Sequence, residues 1–101
     1  MEPKIIDNPD QSRFEIYDGD ELAGFVEYHR YQTEIAFLHT EVFPQFGGRG
    51  LAGRLAQGAL DAARERGLSV LPYCPFVRGW IGKHPDYLDL VPTPQRPRFG
   101  L

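Results

Sequence analysis

From Arg13 the chain alternates. Phe14 and Ile16 fall on one face, and Arg13, Glu15 and Tyr17 on the other, the period of a half-buried strand. Asp18-Gly19-Asp20 reads as a hairpin turn. An aromatic-rich strand follows over residues 22–31, Gln32-Thr33 turns the chain, and a third strand runs over 34–43. Simple alternation gives this last strand one face of Ala36, Leu38, Thr40 and Val42 and another of Ile35, Phe37, His39 and Glu41. Pro44 ends it. The period then becomes helical: Leu51, Leu55, Ala59 and Ala62 form a stripe that Leu60 and Ala63 widen, predicting a helix over 51–66 with Gly67 as its cap. The apolar run 68–73 predicts a short buried strand. Pro75 suits the first position of a helix reaching Lys83, and a turn or short helix covers 86–90. Residues 1–11 read as a loose polar leader. The Pro-rich 92–101 reads as an extended tail that adds nothing to the core.

The order predicts a mixed α/β (α+β) fold: an antiparallel meander, a β-α-β crossover and a closing helix. The chain has 101 residues, enough for one domain with its core over about 12–91. Its net charge of −3 conceals an asymmetry. Residues 1–44 carry 10 acids and 3 bases, and residues 45–84 carry 2 acids and 6 bases, so −7 stands against +4. This balance, without a basic stripe, argues against nucleic acid as the main ligand. One cysteine, Cys74, excludes a disulfide framework, and one Cys with 3 scattered His is too few for a zinc site. The sequence lacks an apolar run of spanning length and a secretory leader, so no membrane association and a cytoplasmic location are expected. A chain this small buries a limited core, so a homodimer or a bound ligand would add stability.

The informative segment is strand, Pro44, Gly47-Gly48-Arg49-Gly50, helix. A helix start leaves four N–H groups without partners. No Ser, Thr, Asp or Asn stands at the expected cap. Glycines allow close approach of a ligand, and the amides with the helix dipole suit phosphate. Arg49 and Arg54 add positive charge. Walker A is excluded, since no Gly-Lys-Ser/Thr follows. The dinucleotide fingerprint is excluded, since its Gly-x-Gly-x-x-Gly turn follows a first strand, whereas this loop follows the third strand of a meander.

This pattern resembles the GNAT superfamily of N-acetyltransferases, whose loop reads Q/R-x-x-G-x-G/A. Gly47-Gly48-Arg49-Gly50-Leu51-Ala52 fits that frame at the helix start, with Gly47 where Gln or Arg is usual. His39-Thr40-Glu41-Val42, Pro72-Tyr73-Cys74-Pro75-Phe76-Val77 and Lys83-His84-Pro85-Asp86-Tyr87 further resemble its compact single-domain branch. The resemblance implies an acyl-CoA N-acyltransferase fold, acetyl-CoA as cosubstrate and an unidentified amine as acceptor. It implies coenzyme contacts from Thr40, Val42, Gly47, Gly48, Arg49, Gly50, Leu51, Ala52, Gly53, Lys83, His84 and Tyr87. A main-chain N–H near Val42 would polarise the thioester carbonyl. The basic block would face the coenzyme's phosphates, leaving the acidic block to a cationic acceptor.

Acetyl transfer to an amine needs a base and a carbonyl-polarising donor. Cys74 falls at the predicted helix start, where a thiolate is favoured, and matches the branch's candidate for a Cys-acetyl intermediate; a lone cysteine is otherwise a small core residue. His39 and Glu41 share a face and are candidate bases, with His39 a potential partner for Cys74. Tyr87 and His84 read either as coenzyme contacts or as an anchored turn. Phe76 and Trp80, four apart, are expected to pack on the sheet. Two readings outside catalysis remain: a non-catalytic acyl-CoA-binding or regulatory module, and a protein-interaction domain using strand 22–31 and the Pro-rich tail.

Overall fold

The computed structural model describes residues 2–101. A five-stranded sheet in the order β1-β2-β3-β4-β5 is built from β1 (Lys4–Asn8), β2 (Arg13–Asp18), β3 (Glu21–Arg30), β4 (Glu34–Val42) and β5 (Ser69–Pro72). The first four strands are antiparallel neighbours, while β4 and β5 run parallel, joined by helix α1 (Leu51–Glu65). Helix α2 (Pro75–Lys83) follows β5 directly. The mixed α/β fold and its meander, crossover and closing helix are therefore as expected.

The apolar stripe of α1 explains its seat. Leu51, Leu55, Ala56, Ala59, Leu60 and Ala63 are buried, sharing one core with Phe14, Ile16, Val26 and Phe37 of the sheet. Val77 and Ile81 bury the corresponding face of α2.

The structure corrects both chain ends. The supposed leader contains β1, paired along its whole length with β2. Only Ile5 and Ile6 are apolar between Pro3 and Pro9, too little for a periodicity signal. The strand is held by pairing and by polar anchors: Tyr28 donates to Asp7 Oδ1 (2.6 Å) and Arg66 to Asp7 Oδ2 (2.9 Å). The C-terminal segment is not extended either. Thr93–Phe99 winds as a 3₁₀ helix and drives Phe99 into the core at 6% exposure, edge-on to Tyr73 at 5.2 Å between ring centres. Arg96 Nε pins it by donating to Val91 O (2.9 Å).

Where β3 meets β4 the register shifts. Glu27 pairs with His39, but Tyr28 pairs with Phe37, so Leu38 is an extra residue bulged out of β4. The pairing of β4 with β5 also ends at Phe37, opposite Pro72. Beyond that point β4 continues with β3 alone.

Candidate active site

The bulge rewrites the faces of β4. Strict alternation groups Thr40 with Ala36 and Leu38, and His39 with Phe37. The extra residue inverts this. Thr40 lies opposite Val26 and Phe37 opposite Tyr28, and Val26 and Tyr28 share the core face, so Thr40 shares the face of Phe37. Leu38, 47% exposed, faces solvent. His39 and Glu41 lie opposite Glu27 and Phe25 on the outer face. There the His39 Nε2 to Glu41 Oε1 distance is 3.5 Å, and the Phe25 ring lies 6.3 Å from the imidazole.

The edge of β4 vacated by β5 also has a defined chemistry. Phe43 N–H donates to Ala23 O (2.9 Å). Hydrogen-bonded and non-hydrogen-bonded pairs alternate along an antiparallel ladder. Val42, opposite Gly24, and Thr40, opposite Val26, therefore turn their main-chain groups away from β3, toward the open edge.

Cys74 stands across this opening as the N-cap of α2. Its N–H donates to Phe37 O (2.8 Å), its carbonyl accepts from Arg78 N–H (3.0 Å), and its thiol lies 3.1 Å from Thr40 Oγ1. The residue is 2% exposed. The structure thus joins Cys74 to Thr40. It does not join Cys74 to His39, which projects from the opposite face of β4, so the expected nucleophile–base pair is not formed. Sequence periodicity misses Thr40 as the thiol's partner because a one-residue bulge leaves no mark in the hydrophobic pattern.

The glycine loop fits an anion. After the turn Pro44–Phe46, Gly48 and Gly50 adopt φ of +79° and +73°, a left-handed conformation that favours glycine. A Cβ at either would meet nothing within 4 Å, so the space over the loop is open. The first main-chain bond of α1 runs from Arg54 N–H to Gly50 O (3.3 Å), and no side chain caps the helix. The N–H groups of Leu51, Ala52 and Gly53 are left as donors. Gly47, with φ of −64°, contributes no special geometry.

The charges around the loop are not free. Arg49 pairs with Asp18 (3.0 Å) and Arg54 with Glu2 (2.7 Å), while at the far end of α1 Arg66 pairs with Asp7 (2.9 Å). In the folded chain the basic block is therefore partly paired with the acidic one.

Two of the C-terminal candidates, Tyr87 and His84, make contacts within the chain. Tyr87 donates to Asp61 Oδ1 on α1 (2.8 Å); burial, and then this bond, raise its phenol above the usual range. His84 stacks on Trp80 with ring centres 3.8 Å apart, and its Nδ1 lies 2.8 Å from Trp80 O. Trp80 reaches toward Gly53 of α1 and packs on His84 and Tyr87. Phe76 is 41% exposed, against the expectation that it packs on the sheet. With Pro75, Gly79, Trp80 and Lys83 it lines a cleft of about 180 Å³ along α2. A larger cleft of about 280 Å³ lies between α1 and the N-terminal strands, lined in part by Ile5, Ile16, Arg54 and Asp61. No helix among the described residues is long and apolar enough to cross a membrane.

Comparison with known proteins identifies the family and the fold. The family model described as GCN5-related N-acetyl-transferase matches residues 13–90. A Staphylococcus aureus protein described as a candidate GCN5-like N-acetyltransferase, solved in solution by NMR, matches with a TM-score of 0.65 and 26% identity, over 88% of this chain and 87% of its own. Proteins named as candidate pre-16S rRNA nucleases in three strains of Pseudomonas aeruginosa are 38% identical over 50 residues, 50% of this chain. The chain spans 33% of the length of those curated relatives.

Proposed function

The chain belongs to the GCN5-related N-acetyltransferase family, and from that premise we propose that it transfers an acetyl group from acetyl-CoA to an amine. The observation that carries the proposal is the uncapped start of α1, with the Leu51, Ala52 and Gly53 donors beneath an open glycine loop, beside the strand edge that β5 leaves free. These amides, with Gly48 and Gly50 giving access, would hold the coenzyme's pyrophosphate. Bound acetyl-CoA supplies an activated thioester carbonyl. Val42 N–H, turned to the open edge, is the donor for its oxygen, and Thr40 lines the same edge.

His39 Nε2 is the base that takes a proton from the acceptor amine, and Glu41 Oε1, 3.5 Å away, orients its ring. Cys74 is buried and held by Thr40 on the far side of β4 from this pair, which favours direct transfer over a Cys74-acetyl intermediate. Lys83, exposed at the rim of the α2 cleft, is the remaining C-terminal candidate for a phosphate contact. His84 and Tyr87 anchor that segment to Trp80 and α1.

The test combines binding with turnover. Free CoA should raise the melting temperature, less at high salt as phosphate contacts are screened. Acetyl-CoA with a panel of primary amines should release free thiol. Gly50→Glu, which places bulk and negative charge over the amides, should abolish the shift. Failure of wild-type protein to bind millimolar CoA would reject the proposal. Binding without turnover would leave the non-catalytic acyl-CoA module.

A further inference from the structure

We infer that Asp18 is a counter-charge competing with coenzyme phosphate for Arg49, and so sets coenzyme affinity. This rests on the coenzyme reading above. Between residues 44 and 54 the only cationic side chains are Arg49 and Arg54, and the loop position that resembles a family Gln or Arg is Gly47. Cationic help at the glycine loop therefore depends on these two arginines. Each is held by a carboxylate from the acidic first part of the chain: Arg49 by Asp18 at 3.0 Å and Arg54 by Glu2 at 2.7 Å.

The two pairs differ in organisation. Glu2 is 83% exposed, so its pair is an ordinary surface contact. Asp18 is 31% exposed and fixed at the base of the β2–β3 hairpin, where it pairs with Glu21. The Arg49 guanidinium also lies 5.7 Å from the Phe46 ring centre, at the root of the loop. The hairpin thus presents a carboxylate to the one arginine that lies within the glycine loop itself. A phosphate arriving at those amides brings a stronger acceptor for a guanidinium than one exposed carboxylate oxygen. Arg49 then exchanges Asp18 for the phosphate, and Asp18 returns to solvent. The ion pair lost in this exchange lowers the affinity that the free arginine would give.

The test is calorimetric titration of CoA into wild type, Asp18→Asn, Arg49→Gln and the double variant, each with its melting temperature. At low salt Asp18→Asn should tighten binding about two- to fivefold, the range that an exposed ion pair is worth. The gain should shrink at high salt. Arg49→Gln should cost more affinity in the Asp18→Asn background than in wild type. A purely structural role for Asp18 would lower the melting temperature without tightening binding. Unchanged or weaker binding by Asp18→Asn, or equal losses from Arg49→Gln in both backgrounds, would overturn the inference while leaving the coenzyme site intact. Should Asp18→Asn fail to fold, Asp18→Ser serves in its place under the same expectations. Absence of CoA binding in wild type would overturn both.

Discussion

Thr40 Oγ1 lies 3.1 Å from Cys74 Sγ, a contact that ties β4 to the start of α2 on the side of the strand away from His39. It separates the two routes of acyl transfer. A thiol covered to 2% exposure, on the other face of β4 from the proposed base His39, is poorly placed as a nucleophile. Intact mass spectrometry of protein exposed to acetyl-CoA should therefore show no acetyl group that depends on Cys74. His39→Ala should lower kcat by about 10²-fold, the usual loss of a general base, with the coenzyme KM unchanged. An added acetyl group that vanishes in Cys74→Ala would sink the direct route.

Gly24 presses against β4, the strand that carries the proposed base His39. A Cβ built on it would collide with Glu41 O and would lie 3.0 Å from Val42 Cα. Both are main-chain atoms of β4, which cannot rotate away as a side-chain tip would. Gly24→Ala should cost about 1–3 kcal/mol, the range for overpacking, read from the urea midpoint. Because the displaced atoms belong to Glu41 and Val42, kcat should fall further than stability explains. A variant with wild-type midpoint and turnover would show that β3 and β4 separate freely here.

The meander, the crossover and the helix-start loop were legible because each carries a periodicity or a glycine cluster. The residues around the thiol were not. A strand of strict alternation would put His39 on the core face with Phe37, and only the bulge at Leu38 places Thr40 there. Bulges depend on how two strands meet, which one strand's pattern does not encode. Charge was misleading for a related reason. Block sums of −7 and +4 suggested two separate ligand surfaces, whereas Arg49, Arg54 and Arg66 pair with Asp18, Glu2 and Asp7 once folding brings the blocks together.

The C-terminal segment offers a stability test of the corrected fold. Phe99 is 6% exposed and packs edge-on to Tyr73, the residue before Cys74. Phe99→Ala should cost about 3 kcal/mol, the lower part of the range for a core aromatic. In a domain of this size that corresponds to a fall in Tm on the order of 10–20 °C. A tail that added no core would leave Tm nearly unchanged, so calorimetry decides between the two.

Glu15 makes the stability depend on pH, with a sign its surroundings fix. Its carboxylate is 4% exposed on the outer face of β2, and burial by itself would raise its pKa. Three donors overcome that: Arg13 Nε at 2.7 Å, Asn8 Nδ2 at 3.1 Å and Tyr17 OH at 2.9 Å, holding the group below its ordinary value of 4.5. A carboxyl whose pKa is lower in the folded chain than in the unfolded chain stabilises the fold above the unfolded value. That contribution is lost as pH falls through the folded value. Urea midpoints should therefore fall as pH is lowered below about 5. Glu15→Gln should be less stable than wild type at neutral pH, and the gap should narrow toward acid as the wild-type carboxyl takes up its proton. Parallel curves for the two proteins would mean that the bonds from Arg13, Asn8 and Tyr17 do not favour the carboxylate over the acid.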